Sequence, residues 1–503
     1  MRFWWSAIVI LGASLSLRLY GISGRTIWFD EASSWQTANM SASEMYDSLR
    51  HSTHVPLYYP LLRMWMSLFG DSPATLRSLS VILGMLSAVG CGLLGWCLQC
   101  RRNSLAEEQC DSEAVSDSSE AKWFGLFCAS SFALSAFQVH SSVEARMYSL
   151  GTFFVMCSTW LMLSILRDNS ARRYHWNALV CVTAASLYTH HFLALTAIVQ
   201  AMILGWSVRH DSLGLSRWIR AILTTLILWL PGLWLWWEQF GRVRRGFWIP
   251  ELSLWSLPRT AFEIIASPPP GLWWDYRFAG VPALLVILLL VIIAWWYGDR
   301  FTRSLVLQSA FPFVVIGVVS LFVPLWEGRY FRFAHGTLII CMAAGLWHIV
   351  SVDRWRGLVC VLAVGAMLAG TLFFWSVREI PGRQAVRGAT FFIEQMDPGQ
   401  NLPVIVKRPM DFVVARYYCS QLGWSNDRVK IWTGLDQDSA EASHLVSDSD
   451  WWKSRTQRVA AWWIEPSTKA EPLSSGTVIE SPPYPSDLWI DDWTVHVRRG
   501  YAP

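Results

Sequence analysis

Charged residues are scarce in this sequence. They make up 16% of its 503 residues, whereas soluble domains average about 25%. Hydrophobic residues account for 53%, and the mean hydropathy is +0.31. This balance excludes an ordinary soluble domain and indicates an integral membrane protein. The net charge of +4 is too small to indicate a nucleic acid partner, and we expect none.

The sequence also lacks a cysteine framework and a nucleotide-binding loop. Eight of the ten cysteines lie in apolar segments, so we interpret them as small packing residues and expect no disulfides. No glycine-rich nucleotide loop is evident. No small-x-small cleavage site precedes the acidic pair Asp30 and Glu31, so the N-terminal apolar run predicts a retained helix and not a signal peptide.

Long apolar runs dominate instead, and a membrane span needs roughly 20 such residues. We predict eleven spans, at about 3–22, 75–98, 121–139, 146–166, 176–190, 191–207, 218–237, 278–297, 304–325, 333–350 and 356–376. With a cytoplasmic N-terminus, every inner loop carries Arg or Lys, as the positive-inside rule requires. Segment 56–70 is short and contains Arg63, so we expect an interfacial or re-entrant helix there. Segment 41–51 predicts a second interfacial helix, with Ser41 or Ser43 as its N-cap.

The composition changes after residue 376. Short β-rich runs such as "PVIV" and "RVKIW" alternate with helical stretches, which predicts a small α/β domain. The predicted architecture is therefore a polytopic α-helical membrane domain over 1–376, with its first outer loop at 23–74. A soluble α/β domain over 377–503 follows on the outer, periplasmic side.

Ionisable residues collect at the outer ends of the predicted spans. Because such residues are costly at membrane depth, they indicate a functional site by default. The set comprises Asp30, Glu31, His54, Glu144, Arg146, His190, His191, Glu327 and Arg329, with Tyr330 beside the last of these.

Each of these residues has alternative interpretations. Asp30 and Glu31 suit a solvated acidic pair, a cation site, or a carboxylate that accepts a proton from a hydroxyl. His54 with His190 or His191 would supply ligands for a divalent metal ion, although no spacing motif supports this. Arginines near residue 330 suit either interfacial anchoring or recognition of a phosphate.

Taken in order, six motifs resemble one known superfamily. They are "FDEA", "HVPLYY", "FGDSPATLRSLSVILG", "EARMYSL", "YTHHFLAL" and "GRYF". This series resembles the GT-C superfamily of polytopic glycosyltransferases, in the branch of protein O-mannosyltransferases and lipid A aminoarabinose transferases. The resemblance covers about residues 1–340.

The resemblance implies transfer of a sugar from a polyprenyl phosphate carrier to an acceptor at the outer face, with inversion. Asp30 is then the expected catalytic base and Glu31 its partner in positioning substrate. The expected substrate-binding residues are His54, Tyr58, Glu144, Arg146, Tyr148, His190, Arg329, Tyr330 and Arg332. Arg329 is expected to hold the lipid phosphate. Arg332 is a second candidate, because the residues after Tyr330 depart from the usual family pattern.

Elementary chemistry agrees with this assignment. Transfer to a hydroxyl needs a base, and a phosphate leaving group needs nearby positive charge rather than a strong acid. We therefore expect a hexosyl- or pentosyltransferase of a bacterial inner membrane, acting on a lipid, protein or polysaccharide. The alternative is a transporter or flippase of a lipid-linked saccharide. Against it, the polar residues cluster at one face and no inverted repeat is visible.

Overall fold

The computed structural model of the chain describes most of the apolar region and parts of the C-terminal region. The described residues are 2–107, 118–167, 173–243, 249–267, 276–350, 353–377, 382–399, 402–406, 409–432, 451–452, 459–466, 477–479 and 495–502. Within these ranges the chain is mostly helical, and every strand lies after residue 403.

Eighteen helices occur in the described ranges. They are α1 (Arg2–Leu19), α2 (Phe29–Asn39), α3 (Ala42–Arg50), α4 (Tyr58–Phe69), α5 (Pro73–Glu107), α6 (Ser118–Ala133), α7 (Ala136–Ser142), α8 (Tyr148–Arg167), α9 (Arg173–Leu187), α10 (Leu193–Val208), α11 (Ser212–Val243), α12 (Ser256–Ala266), α13 (Tyr276–Tyr297), α14 (Arg300–Ser320), α15 (Arg332–Ile349), α16 (Asp353–Val377), α17 (Gly382–Met396) and α18 (Pro409–Gln421). A 3-10 turn at Gly328–Phe331 leads directly into α15.

Each stretch predicted as a membrane span overlaps one of the longer helices. Six described helices contain a segment long and apolar enough to cross a bilayer, judged by length and composition. These segments are Pro73–Cys100, Tyr148–Arg167, Ser212–Phe240, Ala279–Tyr297, Arg300–Ser320 and Trp355–Leu372. The total of eleven spans therefore stays a prediction.

Three short helices connect α1 to α5. The hydroxyl of Ser41 accepts a hydrogen bond from the Glu44 backbone N–H at 3.3 Å, and the Glu44 carboxylate accepts one from the Ser41 N–H at 2.8 Å. This reciprocal pair confirms Ser41 as the N-cap of α3. Helix α4 confirms the predicted helix at 56–70, and it ends at Gly70, whose φ of +83° favours glycine.

The C-terminal strands form one mixed sheet. They are β1 (Val404–Val406), β2 (Val429–Trp432), β3 (Trp451–Trp452), β4 (Val459–Pro466), β5 (Thr477–Ile479) and β6 (Val495–Ala502), in the order β3-β2-β1-β4-β6-β5. β3, β2, β1 and β4 run parallel, whereas β6 is antiparallel to β4 and β5. Helix α18 provides the crossover that the parallel pair β1 and β2 requires. The domain boundary at 377 stays a prediction.

The C-terminal elements and the connection between α1 and α5 share one hydrophobic core. Trp35 of α2 and Leu62 of α4 belong to the same buried cluster as Phe412 and Tyr417 of α18. The rings of Trp35 and Tyr417 meet edge-on, with centroids 5.3 Å apart. The C-terminal elements therefore pack directly against the helix that carries the acidic pair.

Candidate active site

The first turn of α2 carries both acidic residues of the "DE" pair. Consecutive residues on a helix point about 100° apart, so the two carboxylates face different surroundings. The Asp30 side chain is 17% exposed, whereas that of Glu31 is only 1% exposed. The structure thereby places the two carboxylates in different environments.

Glu31 forms a buried ion pair with Arg77 of α5. Its Oε1 accepts a hydrogen bond from Arg77 Nε at 2.8 Å, and its Oε2 accepts one from Nη2 at 2.7 Å. The backbone N–H of Ala145 donates to Oε1 at 3.0 Å. Arg77 also donates to the carbonyls of Ile22, Arg25 and Thr26. A bidentate ion pair of this kind is strong. It connects α2 to α5, and the Ala145 contact connects α2 to the segment before α8.

Asp30 faces two arginines that come from distant parts of the chain. Its Oδ2 lies 3.4 Å from Arg329 Nη1 and 3.9 Å from Arg146 Nη2. Arg146 Nη1 also donates to the Asp30 carbonyl at 3.3 Å and to Ser34 Oγ at 3.4 Å. The structure thus brings together Asp30, Arg146 and Arg329, which the sequence analysis predicted to converge.

A second carboxylate lies on the other side of Arg329. Arg329 Nε is 3.5 Å from Glu327 Oε1, and the arginine side chain is 26% exposed. Burial acts to lower the pKa of Arg329, but Tyr148, Asp30 and Glu327 outweigh it and raise that pKa above its ordinary value. Arg329 therefore stays a cation that solvent reaches in part.

Helix α12 supports the turn that carries Arg329. Gly328 lies directly against the Glu263 carboxylate, so a larger residue at this position would force that side chain to move. The Glu263 side chain is 13% exposed and lies 3.0 Å from Arg259 Nε. Burial raises the pKa of Glu263 to about 7, although Arg259 acts in the opposite direction. A titratable carboxyl therefore packs directly under the turn.

A deeper cluster surrounds Glu144. Its Oε1 accepts a hydrogen bond from His140 Nε2 at 2.8 Å, and its Oε2 accepts one from Arg332 Nη1 at 3.3 Å. Arg332 Nη2 is 3.3 Å from His140 Nδ1, and because arginine only donates, Nδ1 is the acceptor. Arg332 is 5% exposed and lies over the Tyr148 ring at 4.8 Å. Arg332 is thus paired with Glu144, and its role as a second phosphate ligand stays a prediction.

Aromatic side chains flank Arg329. Tyr330 stacks on Phe192 with ring centroids 4.4 Å apart. The His190 ring lies 5.8 Å from Tyr330 and 6.0 Å from Tyr148, and its Nδ1 accepts a hydrogen bond from the Phe192 N–H at 3.2 Å. Tyr148, His190 and Tyr330, all predicted to bind substrate, therefore form one aromatic wall.

The histidines do not form the metal site that was considered as an alternative. His54 Nε2 is 3.3 Å from Arg146 Nη2, whereas His191 Nε2 donates to Gln239 Oε1 at 2.8 Å. His190 packs in the aromatic wall. In the part of the chain that the structure describes, no three His, Cys, Asp or Glu side chains are grouped as ligands for a metal ion. Other partners thus hold these imidazoles apart.

Tyr58 is almost completely buried. Its side chain is 1% exposed, and its ring meets that of Tyr59 edge-on at 5.9 Å. Burial raises the pKa of Tyr58. Tyr58 therefore packs in the core beneath the site, and its contact with substrate stays a prediction.

Sequence reasoning missed two residues that organise this region, Arg77 and His140. Arg77 lies in the apolar run of α5, where an ionisable residue is costly unless it is paired, so its position was an available signal. His140 precedes Glu144 by four residues, a spacing that allows contact across one helical turn. Arg77 lies within the motif "FGDSPATLRSLSVILG", but neither that motif nor the sequence around His140 indicates which residue is the partner.

Comparison with known proteins identifies one matching family and several similar structures. Residues 42–213 match the family described as the N-terminal domain of the protein O-mannosyl-transferase TMEM260. None of the curated proteins matches the sequence. The structure is similar to ArnT from Cupriavidus metallidurans in the apo state, with 13% identity, a TM-score of 0.57, and coverage of 98% of this chain and 97% of ArnT. ArnT bound to undecaprenyl phosphate gives 12% identity and a TM-score of 0.56 over the same shares.

A third similar structure is the archaeal oligosaccharyltransferase AglB from Archaeoglobus fulgidus. It has 11% identity and a TM-score of 0.49, with coverage of 82% of this chain and 64% of AglB. The chain thus shares the fold of ArnT, and together with the family match over residues 42–213 this confirms the predicted resemblance to GT-C glycosyltransferases. It is a multi-pass membrane protein.

Proposed function

We propose that this protein is a glycosyltransferase that moves a hexosyl or pentosyl unit from a polyprenyl phosphate to an acceptor hydroxyl. The acceptor is carried by a lipid, a protein or a polysaccharide, and the site faces the periplasmic side of a bacterial inner membrane. The undecaprenyl phosphate bound to ArnT and the match to an O-mannosyl-transferase domain support a lipid-linked donor.

The contact between Asp30 and Arg329 carries this proposal. A partly exposed carboxylate lies 3.4 Å from a partly exposed guanidinium that is 299 residues away in the chain. The reaction needs one group that accepts a proton and one that stabilises a phosphate, and these two residues match both needs. Glu31, in contrast, has both oxygens occupied by Arg77, so its role is to position α2.

In the proposed step, Asp30 removes the proton of the acceptor hydroxyl as its oxygen attacks the anomeric carbon. The new carbon–oxygen bond forms while the bond from that carbon to the phosphate oxygen breaks. Its electron pair leaves with the polyprenyl phosphate, whose negative charge Arg329 stabilises. Attack from the face opposite the phosphate inverts the anomeric configuration.

The residues around this pair position it. Arg146 binds the backbone and side chain of Asp30 and reaches His54, so it holds the carboxylate against α2. Tyr148, His190 and Tyr330 form an aromatic wall beside Arg329, a surface that suits the apolar face of a sugar ring. Arg332 pairs with Glu144 and packs over the Tyr148 ring of this wall.

The decisive experiment is a transfer assay with the purified full-length protein and polyprenyl phosphate sugars. Asp30→Asn keeps the shape of the side chain and removes the base, so we expect transfer to fall by at least about a hundredfold. Asp47→Asn makes the same charge change on α3, where Asp47 is 67% exposed, and we expect no loss. Full activity of Asp30→Asn would exclude Asp30 as the base.

The membrane face is tested separately. Reporter fusions at residue 110 should be active only in the cytoplasm and those at residue 430 only in the periplasm. The opposite pattern would overturn the proposed orientation.

A further inference from the structure

The ion pairs of the two neighbouring carboxylates differ in strength. Glu31 is bound by Arg77 at 2.7 and 2.8 Å, and both side chains are at most 3% exposed. Asp30 has contacts of 3.4 and 3.9 Å with Arg329 and Arg146. Charge-assisted hydrogen bonds normally lie near 2.7–2.9 Å, so the Asp30 contacts are loose. Loose and partly hydrated ion pairs contribute little and exchange partners readily.

The two arginines that face Asp30 also differ. Arg146 is 3% exposed and has further contacts with Ser34 and His54, so it is held in place. Arg329 is 26% exposed, and Glu327 Oε1 lies 3.5 Å from its Nε. The Nη1 end of Arg329, which contacts Asp30, is therefore the end that can accept a new anion.

Inversion sets a requirement on the distance between these groups. The acceptor oxygen and the leaving phosphate must lie on opposite faces of the anomeric carbon, with the sugar ring between them. In inverting glycoside hydrolases the two catalytic carboxyl groups stand about 6.5–9.5 Å apart for a similar reason. A base 3.4 Å from the group that holds the phosphate leaves no room for a sugar. The observed pair is thus a resting arrangement that must open before transfer.

We propose that the phosphate of the donor takes Arg329 from Asp30, so that the base is released only when the donor is bound. The incoming group is a polyprenyl phosphate ester, which offers several oxygens to the planar guanidinium. Glu327 keeps the Nε side of Arg329 oriented during the exchange, and Arg146 keeps Asp30 against α2. This inference rests on the proposed function and adds an order to it: the donor binds before the acceptor is deprotonated.

Binding of undecaprenyl phosphate alone tests the exchange, because it needs no sugar and no acceptor. The purified full-length protein is compared with Asp30→Asn, Arg329→Ala, the double variant and the control Asp47→Asn. We expect Asp30→Asn to bind about two- to fivefold more tightly, since the competing carboxylate is gone. Arg329→Ala should bind more weakly, Asp47→Asn should be unchanged, and Asp30→Asn should have no effect in the Arg329→Ala background. Thermal unfolding of every variant checks that it is folded.

The outcomes separate this inference from the proposed function. If Arg329→Ala is weakened but Asp30→Asn is not tightened, the exchange is wrong while Arg329 remains the phosphate ligand. If Asp30→Asn tightens binding equally with and without Arg329, the effect is general electrostatics and the exchange is again wrong. If undecaprenyl phosphate binds all variants alike, the phosphate role of Arg329 fails, and with it the contact that carries the proposed function.

Discussion

Glu31 and Arg77 form a bidentate ion pair, in which Arg77 Nε and Nη2 donate to the two carboxylate oxygens at 2.8 and 2.7 Å. Neither side chain is more than 3% exposed. The same guanidinium binds the carbonyls of three residues that precede α2. The pair therefore fixes the beginning of α2, and with it the position of Asp30, by joining α2 to α5.

Loss of Arg77 is expected to destabilise the protein strongly. Arg77→Met leaves Glu31 as an uncompensated buried charge, which costs about 3–5 kcal/mol in other proteins. Arg77→Lys keeps the charge but cannot form both hydrogen bonds, so we expect an intermediate loss of stability. Thermal unfolding of the purified proteins should therefore rank their stability as wild type, then Arg77→Lys, then Arg77→Met. Wild-type stability and activity in Arg77→Lys would show that the bidentate geometry is dispensable.

The C-terminal elements hold the segment before α2 through Tyr418. The backbone N–H of Ile27, which is fully buried, donates to Tyr418 Oη at 2.7 Å. Tyr418→Phe leaves this donor without a partner, which costs about 1–3 kcal/mol. We expect a lower melting temperature and slower transfer, because Ile27 lies three residues before Asp30. The control is Tyr46→Phe, at a 43% exposed position of α3, which should behave like the wild type.

Glu263 predicts a pH dependence of stability. Burial raises its pKa from 4.5 to about 7, so between these values the folded protein keeps a proton that the unfolded chain releases. Stability should therefore fall as the pH rises through this window, by up to about 3 kcal/mol from this group. Glu263→Gln removes the effect, and its melting temperature should fall less than that of the wild type between pH 5 and 8.

A matched control separates burial from charge. Glu251→Gln removes an exposed carboxylate from the segment that leads into α12, and it should follow the wild-type pH profile. If Glu263→Gln also follows the wild-type profile, Glu263 ionises as an ordinary glutamate and does not hold its proton near neutral pH.

Much of this arrangement could be predicted from the sequence, because apolar runs and capping residues act locally. The helix at 56–70, the Ser41 cap and the convergence of Asp30, Arg146 and Arg329 follow from periodicity and from charges at the ends of apolar runs. The different roles of Asp30 and Glu31 could not be predicted in the same way. They depend on the rotation of α2 relative to α5, which is a tertiary property that no local pattern records.

The same limit applies to the burial of Tyr58 and Arg332. Both residues stand in motifs that resemble binding sequences, but a motif does not show how deeply a side chain is buried. Tyr58 faces the core because α4 packs that side against its neighbours. Arg332 is one helical turn beyond Arg329, and there the chain places Glu144 opposite it.

Alanine variants of the two arginines distinguish their roles. Arg329 is partly exposed with loose partners, so Arg329→Ala should raise the KM for the lipid-linked donor by about tenfold or more and leave the melting temperature nearly unchanged. Arg332 is buried and paired with Glu144, so Arg332→Ala should lower the melting temperature instead, because it removes the cation that balances this buried carboxylate. Donor-dependent kinetics give the KM and thermal unfolding gives the melting temperature, both measured on the same preparations. A larger donor KM in a fully stable Arg332→Ala protein would reverse the assignment and make Arg332 the phosphate ligand.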